Sequence, residues 1–276
     1  KQVATDIGPD LGATGTEAAQ GMEALAAAGL NATQVMQALP PVLALAKAEG
    51  ISMDAAAEKL SDSLATVGLG FDQAARMADV LAKGANLSTT SASALADALA
   101  TAGGIAKTAG LNLEQTVAAL SELANAGIKG EKAGTALQAI LTQLLNPASQ
   151  ASKELLALGI TSRDLGTVIG ELAARGKDGN AAILAFGETA GPGLRALVAK
   201  GRQALAEMTG QLENSTGAAE AAATGINDNL KGALTALTAA WANVKTALSE
   251  PVLQPLAQAA RDAAEVLKTQ LASGAL

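Results

Sequence analysis

Seven times along this chain a glycine, a residue that is usually apolar and a third residue that is usually short and polar stand together. The copies are Gly29-Leu30-Asn31, Gly50-Ile51-Ser52, Gly68-Leu69-Gly70, Gly84-Ala85-Asn86, Gly110-Leu111-Asn112, Gly127-Ile128-Lys129 and Gly159-Ile160-Thr161. Glycine takes the left-handed conformation that ends a helix, the apolar residue packs back on the finished helix, and Asn, Ser or Thr accepts a hydrogen bond from the next first turn. Gln34, Gln73, Gln115 and Asp164 stand three positions beyond the expected caps and add capping-box character. The pattern predicts short helices folded back on one another. It is a scaffold signal and carries no catalytic chemistry of its own.

Periodicity supports the same class. Met53, Ala57, Leu60, Leu64 and Val67 recur at steps of four and three, as do Leu113, Val117, Leu120 and Ala124, and Leu137, Ile140, Leu141 and Leu144 likewise share one helical face. No useful window alternates every second residue, as a half-buried strand would. The expected fold is all-α, an irregular array of short helices followed by a long C-terminal helical hairpin or arm. With two Phe, one Trp and no Tyr among 276 residues, aromatic rings cannot fill the core. It must form from Ala- and Leu-faced helices that approach closely.

Several function classes are disfavoured by composition. Without His or Cys, there is no imidazole base, disulfide or thiolate site, and any metal site would have to be all-oxygen. Net charge is −7, and no stretch is basic enough to neutralise a run of phosphates, so direct nucleic-acid binding is not expected. Ala133–Ser152 is a long charge-free, apolar-leaning run, but Gln138, Gln143, Asn146, Pro147 and Gln150 interrupt it. It reads as a buried helix stopped near Asn146-Pro147 rather than a membrane span.

The two ends of the chain differ in texture. Short glycine-punctuated helices run to about Phe186, and a loop is expected over Gly187–Gly193, around Gly191-Pro192-Gly193. Two regions follow from this, 1–190 and 191–276. In the second, Ile226, Leu230, Leu234, Leu237, Trp241, Val244 and Leu248 form a near-heptad stripe, Pro251 and Pro255 break the chain, and Leu256, Ala260, Ala263, Leu267 and Leu271 resume. Either this second stripe covers Leu230–Leu248 or another copy of the chain does.

Motifs for chemistry mostly fail. Thr101–Thr108 resembles a phosphate loop only at Lys107-Thr108, because its two diagnostic glycines would fall at Thr101 and Ala106. A helix-linking glycine turn is the better reading. Glu114, Glu122 and Glu131 could serve as acid–base carboxylates, but solvated polar faces and first-turn positions account for them. The sequons at Asn31, Asn86 and Asn214 coincide with cap or loop positions, and capping explains the first two. No catalytic, cofactor-binding or metal-binding residue and no cofactor is assigned.

The stretch Ala109–Leu137, AGLNLEQTVAALSELANAGIKGEKAGTAL, resembles the tail tape measure proteins of tailed bacteriophages and prophages. Flanking pieces fall in the family's order: Ala28–Thr33 with Ala38-Leu39-Pro40, Ala78–Lys83 followed by Ala85-Asn86, Leu144–Pro147, and Phe186-Gly187. The resemblance covers roughly residues 10–215, and residues 225–271 are like the helical region that follows. It implies a non-enzymatic virion protein that occupies the lumen of the tail tube, sets tail length during assembly in the host cytoplasm, and leaves with the DNA. It also implies the tail tube protein, tail assembly chaperones and tail tip proteins as partners, with self-association through Leu230, Leu234, Leu237, Trp241, Val244 and Leu248. The chain is shorter than a usual member and is expected to be a fragment. Two other classes remain open: a membrane-active helical module that aids genome passage through the host envelope, and a small cell-wall lytic domain.

Overall fold

Six of the seven glycine signals are helix ends, and their backbone bonds explain why an apolar residue follows each glycine. Gly29, Gly50, Gly68, Gly110, Gly127 and Gly159 all have positive φ. The residue after each donates its N–H five positions back, from Leu30 to Leu25, Ile51 to Ala46, Leu69 to Leu64, Leu111 to Ala106, Ile128 to Leu123 and Ile160 to Leu155. This bond satisfies a late helix carbonyl and folds the apolar side chain onto the turn it closes.

The computed structural model describes residues 15–225, which contain eleven α-helices, one 3-10 turn and a last helical stretch. The helices are α1 (Gly15–Ala27), α2 (Ala32–Glu49), α3 (Met53–Val67), α4 (Ala74–Asn86), α5 (Ala92–Thr108), α6 (Leu113–Asn125), α7 (Glu131–Leu145), α8 (Gln150–Ala157), α9 (Leu165–Ala174), α10 (Lys177–Leu184) and α11 (Gly187–Glu213). The 3-10 turn, Phe71–Gln73, precedes α4, and residues 218–225 are helical again. No strand occurs among the described residues, and the fold is all-α. The stripe Ile226–Leu248 and its counterpart Leu256–Leu271 lie outside the described residues.

The N-terminal caps follow the sequence at three places and depart from it at others. Asn31 with Gln34 and Asn112 with Gln115 form complete capping boxes, and Ser52 accepts from the Ala55 N–H. Gly70 has no side chain with which to complete a box, so Gln73 only ends the 3-10 turn. Lys129 and Thr161 do not cap; Gly130 precedes α7, and Asp164 itself caps α9 by accepting from the Thr167 N–H at 2.7 Å. Asn86 is the last residue of α4 rather than a cap, and Ser91 caps α5.

Three expected glycine turns are helix interiors, for a common physical reason. A Cβ on Gly84, in α4, would lie 3.0 Å from Leu95 and from Val117. A Cβ on Gly103, in α5, would meet Val67 at 2.8 Å, and one on Gly193, in α11, would meet Ala136 at 3.1 Å. These glycines allow close helix crossings, which offsets the roughly 1 kcal/mol that glycine costs a helix relative to alanine. The segment Gly187–Gly193 is therefore the start of α11 and not a loop. Gly103-Gly104 is not a turn either, and no phosphate loop forms there.

The core is built around α5, which packs on α3 and α7, and around α11, which packs on α6, α7 and α9. Leu60, Leu64, Leu99, Leu120, Leu137, Ile140 and Leu144 are fully or almost fully buried, with Ala56, Ala98, Ala102, Ala118 and Ala119 between them. Phe186 is buried as well, so the aromatic-poor interior closes as an alanine and leucine core. Residues 15–224 fall within one compact unit, and α11 runs without a break across residues 190 and 191. The run Ala133–Ser152 divides at Asn146-Pro147 into α7 and α8. Among the described residues, no helix is long and apolar enough to cross a membrane.

The cap glycines can be tested apart from packing. Gly127 has φ 90°, and a Cβ there would meet nothing within 4 Å. Gly127→Val is therefore expected to cost about 1–2 kcal/mol through backbone strain alone, lowering Tm by roughly 3–6 °C in thermal denaturation. An unchanged Tm would show that the helix end does not depend on the left-handed residue.

Candidate functional site

Charges in the interior are the first place to look for chemistry in a fold of this kind, because burial of a carboxylate must be compensated. Glu114 stands in the first turn of α6 and is 3% exposed. Arg76, on α4, spans it with two parallel bonds, Nε to Oε1 at 2.8 Å and Nη2 to Oε2 at 2.8 Å. The fork geometry and the helix N-terminus both stabilise the carboxylate. Glu122, about two turns further along α6, is 6% exposed, and Lys200 Nζ lies 3.7 Å from its Oε2, an ion pair without a hydrogen bond. Neither glutamate is on a solvated face, which corrects the reading of the sequence. Both face other helices because Arg76 and Lys200 arrive from α4 and α11. Glu131 is an exposed first-turn residue of α7, as expected.

Other polar side chains position helices. Glu49 Oε1 accepts from the Ala92 N–H at 2.9 Å, so the end of α2 caps the start of α5. Thr89 donates its N–H to Asn125 Oδ1 and its hydroxyl to the Ala124 carbonyl, fastening the α4–α5 connection to the end of α6. Lys59 pairs with Asp97 between α3 and α5. Asp79 accepts from the Gly217 and Ala219 N–H groups at 2.9 and 3.0 Å. The sequence carries no local signal for these bonds, because each acceptor lies in a different element from its donor.

A shallow cleft of about 180 Å³ holds the Lys59–Asp97 pair, and two larger ones do not collect these groups. One, of about 330 Å³, opens between α7 and α11 beside Glu131, Lys132, Glu188 and Pro192; another, of about 380 Å³, lies beside Gln20, Gly50 and Asp54. Both are at the small end of ligand pockets, and the buried carboxylates lie outside them. Among the described residues no group of three or more acidic side chains converges on a point that could hold a metal ion. Asn31 and Asn112 are occupied as caps, and Asn214 donates its side-chain amide to the Gly210 carbonyl.

Fold and polar network together define a glycine-punctuated helical scaffold whose interior charges orient helices. Comparison with known proteins names it more closely: residues 1–182 match the family described as phage-related minor tail protein. The chain belongs to that family. It is 33% identical over 268 residues to the tape measure protein of Pneumococcus phage Dp-1, an alignment covering 92% of this chain and 23% of that protein. It is 28% identical over 164 residues to the probable tape measure protein of Escherichia phage P2, covering 59% of this chain and 20% of that one. The chain thus spans less than a quarter of the length of these relatives. No solved structure matches it significantly.

Proposed function

We propose that this chain is a segment of a tape measure protein: a structural component that lies in the lumen of the phage tail tube, sets tail length during assembly and leaves with the DNA at infection. The observation that carries the reading is its 33% identity to a tape measure protein along nearly all of its length. The physics agrees, because an α-helix advances a fixed ~1.5 Å per residue and is a natural unit of length. The tail tube protein, assembly chaperones and tail tip proteins are its partners in this reading. Self-association through Leu230–Leu248 belongs to it as well. The chain has no catalytic role here, and its buried glutamates are structural.

The test is to delete or duplicate in frame the codons for residues 15–225 in the parent phage gene and to measure tails by electron microscopy. Deletion is expected to shorten the tail and duplication to lengthen it. The change should be roughly 320 Å if the helices lie end to end at ~1.5 Å per residue. It should be about 45 Å if the unit stays folded, the diameter expected for a compact chain of this size. Tails of unchanged length in both phages would overturn the reading.

A further inference from the structure

The last described stretch of the chain is bent at Asn214–Gly217, although the phase of its apolar face runs straight through. Within α11, Gly201 (φ 86°, ψ 165°) interrupts the helix, and residues 202–213 then run as a regular segment. Leu205, Met208 and Leu212 lie along one face of that segment, with Met208 and Leu212 buried. The helix stops at Asn214, turns at Gly217 (φ 79°) and restarts at residue 218. Yet the apolar face does not lose phase across the break. Leu205, Met208, Leu212, Ser215, Ala219 and Ala223 follow one another by three, four, three, four and four residues. That is 18 residues in five steps, the ~3.6 repeat of a straight α-helix. Ser215, Ala219 and Ala223 are all buried in the bent form. In the sequence the same phase continues through Ile226, Leu230 and Leu234.

A turn that had only to end a helix would have no reason to preserve the phase of the next one. What holds the bend is small. Asp79, on α4, accepts the Gly217 and Ala219 N–H groups, standing in for the carbonyls that a continuous helix would offer. Besides these bonds, the docked segment buries small side chains, Ser215, Ala219 and Ala223, with Ala218 packed against the core. Straightening at Gly201 would instead pull Met208 and Leu212 out of the core, which is far more costly. Gly217 is thus the break at which little is lost. Its left-handed backbone is needed only in the bent form, and a Cβ there would meet nothing within 4 Å.

We infer that residues 202–225 form a two-state element, bent at Gly217 while Asp79 latches it to α4, and one continuous helix when the latch opens. The inference does not depend on the tail reading, since it rests on the phase of the stripe and the contacts of Asp79. In the straight state, residues 214–217 recover helical hydrogen bonds, and Leu205–Ala223 become one unbroken stripe. Opening therefore extends the helix and releases Ala219 and Ala223 while Met208 and Leu212 stay in the core.

The full chain contains no cysteine, so spin labels can be placed at Ala75→Cys and Glu220→Cys. Both positions are exposed, and each lies within about one helical turn of the Asp79 contact. The bent state should give one short distance, under about 20 Å. Adding Asp79→Ala, or separately Gly217→Ala, should create a second, longer-distance population. Alanine at Gly217 both strains the bend and favours the helix, a shift of the equilibrium on the order of tenfold to a hundredfold. Far-UV helicity should hold or rise as that population grows. Two results would overturn the inference: the short distance alone in both variants, or a long distance gained with a loss of helicity, which would mean release as coil.

Discussion

Gly134→Val is expected to be among the most destabilising single substitutions in the described unit. At the crossing of α5 and α7, a Cβ on Gly134 would lie 2.6 Å from the Ala98 carbonyl oxygen, 2.9 Å from the Ala98 Cα and 2.8 Å from the Thr101 Cβ. Two of these atoms are backbone, so no side-chain rotation relieves the overlap and one helix must move. Because α5 also packs on α3, a shift there opens gaps on its other side. Overpacking of this kind costs about 3 kcal/mol, and Tm should fall by roughly 6–12 °C. Gly104→Ala is the control. Gly104 lies in α5 but is exposed, and its Cβ would meet only the Thr66 carbonyl oxygen, at 4.0 Å. Alanine there should stabilise by up to ~1 kcal/mol through helix propensity. Thermal melts of the two variants shifting in the same direction would contradict this account of the helix-interior glycines.

The Arg76–Glu114 pair should respond asymmetrically to mutation. Arg76→Ala strands a glutamate whose side chain is 3% exposed, whereas Glu114→Gln leaves an arginine whose side chain is 47% exposed and hydrated. The first is expected to cost about 2–3 kcal/mol, less than a pair buried on both sides. The second should cost about 1 kcal/mol, the usual value for a lost hydrogen bond. Replacing both residues with Met removes the charge to be compensated and should recover part of the Arg76→Ala loss. Urea denaturation of the three variants checks the order. Equal losses for the two single substitutions would show that Glu114 is not held by Arg76 in the way its geometry indicates.

Much of this molecule is legible in local sequence because much of it closes locally. The Schellman bonds at Gly29, Gly50, Gly68, Gly110, Gly127 and Gly159 each span five residues, and the Asn31 and Asn112 capping boxes span three. A reader of the sequence needs only a short window to see them, and the buried stripes of α3, α6 and α7 need only two or three turns. Family membership was legible for a related reason. The motifs from Ala28 to Phe186 are mostly these same helix ends and crossings, kept in order along the chain.

Where the sequence misled, a distant atom decided the outcome. Gly84, Gly103 and Gly193 look like turn glycines, but they lie within helices at places where neighbouring helices occupy the space a Cβ would need. Glu114 and Glu122 carry the same local pattern as solvated first-turn or surface glutamates, and only Arg76, 38 residues away, and Lys200 make their burial tolerable. Asp79 has no local sign of a role at all, since the N–H groups it accepts lie 138 and 140 residues along. The sequence alone therefore determined the helical class, the positions of most helix ends and the faces that turn inward, all properties of bonds closed within a few residues. Tertiary structure alone decided which glycines are crossings rather than turns, which charges go inside, and where the last helix is bent, because each depends on atoms that only the packed chain brings within a few ångströms.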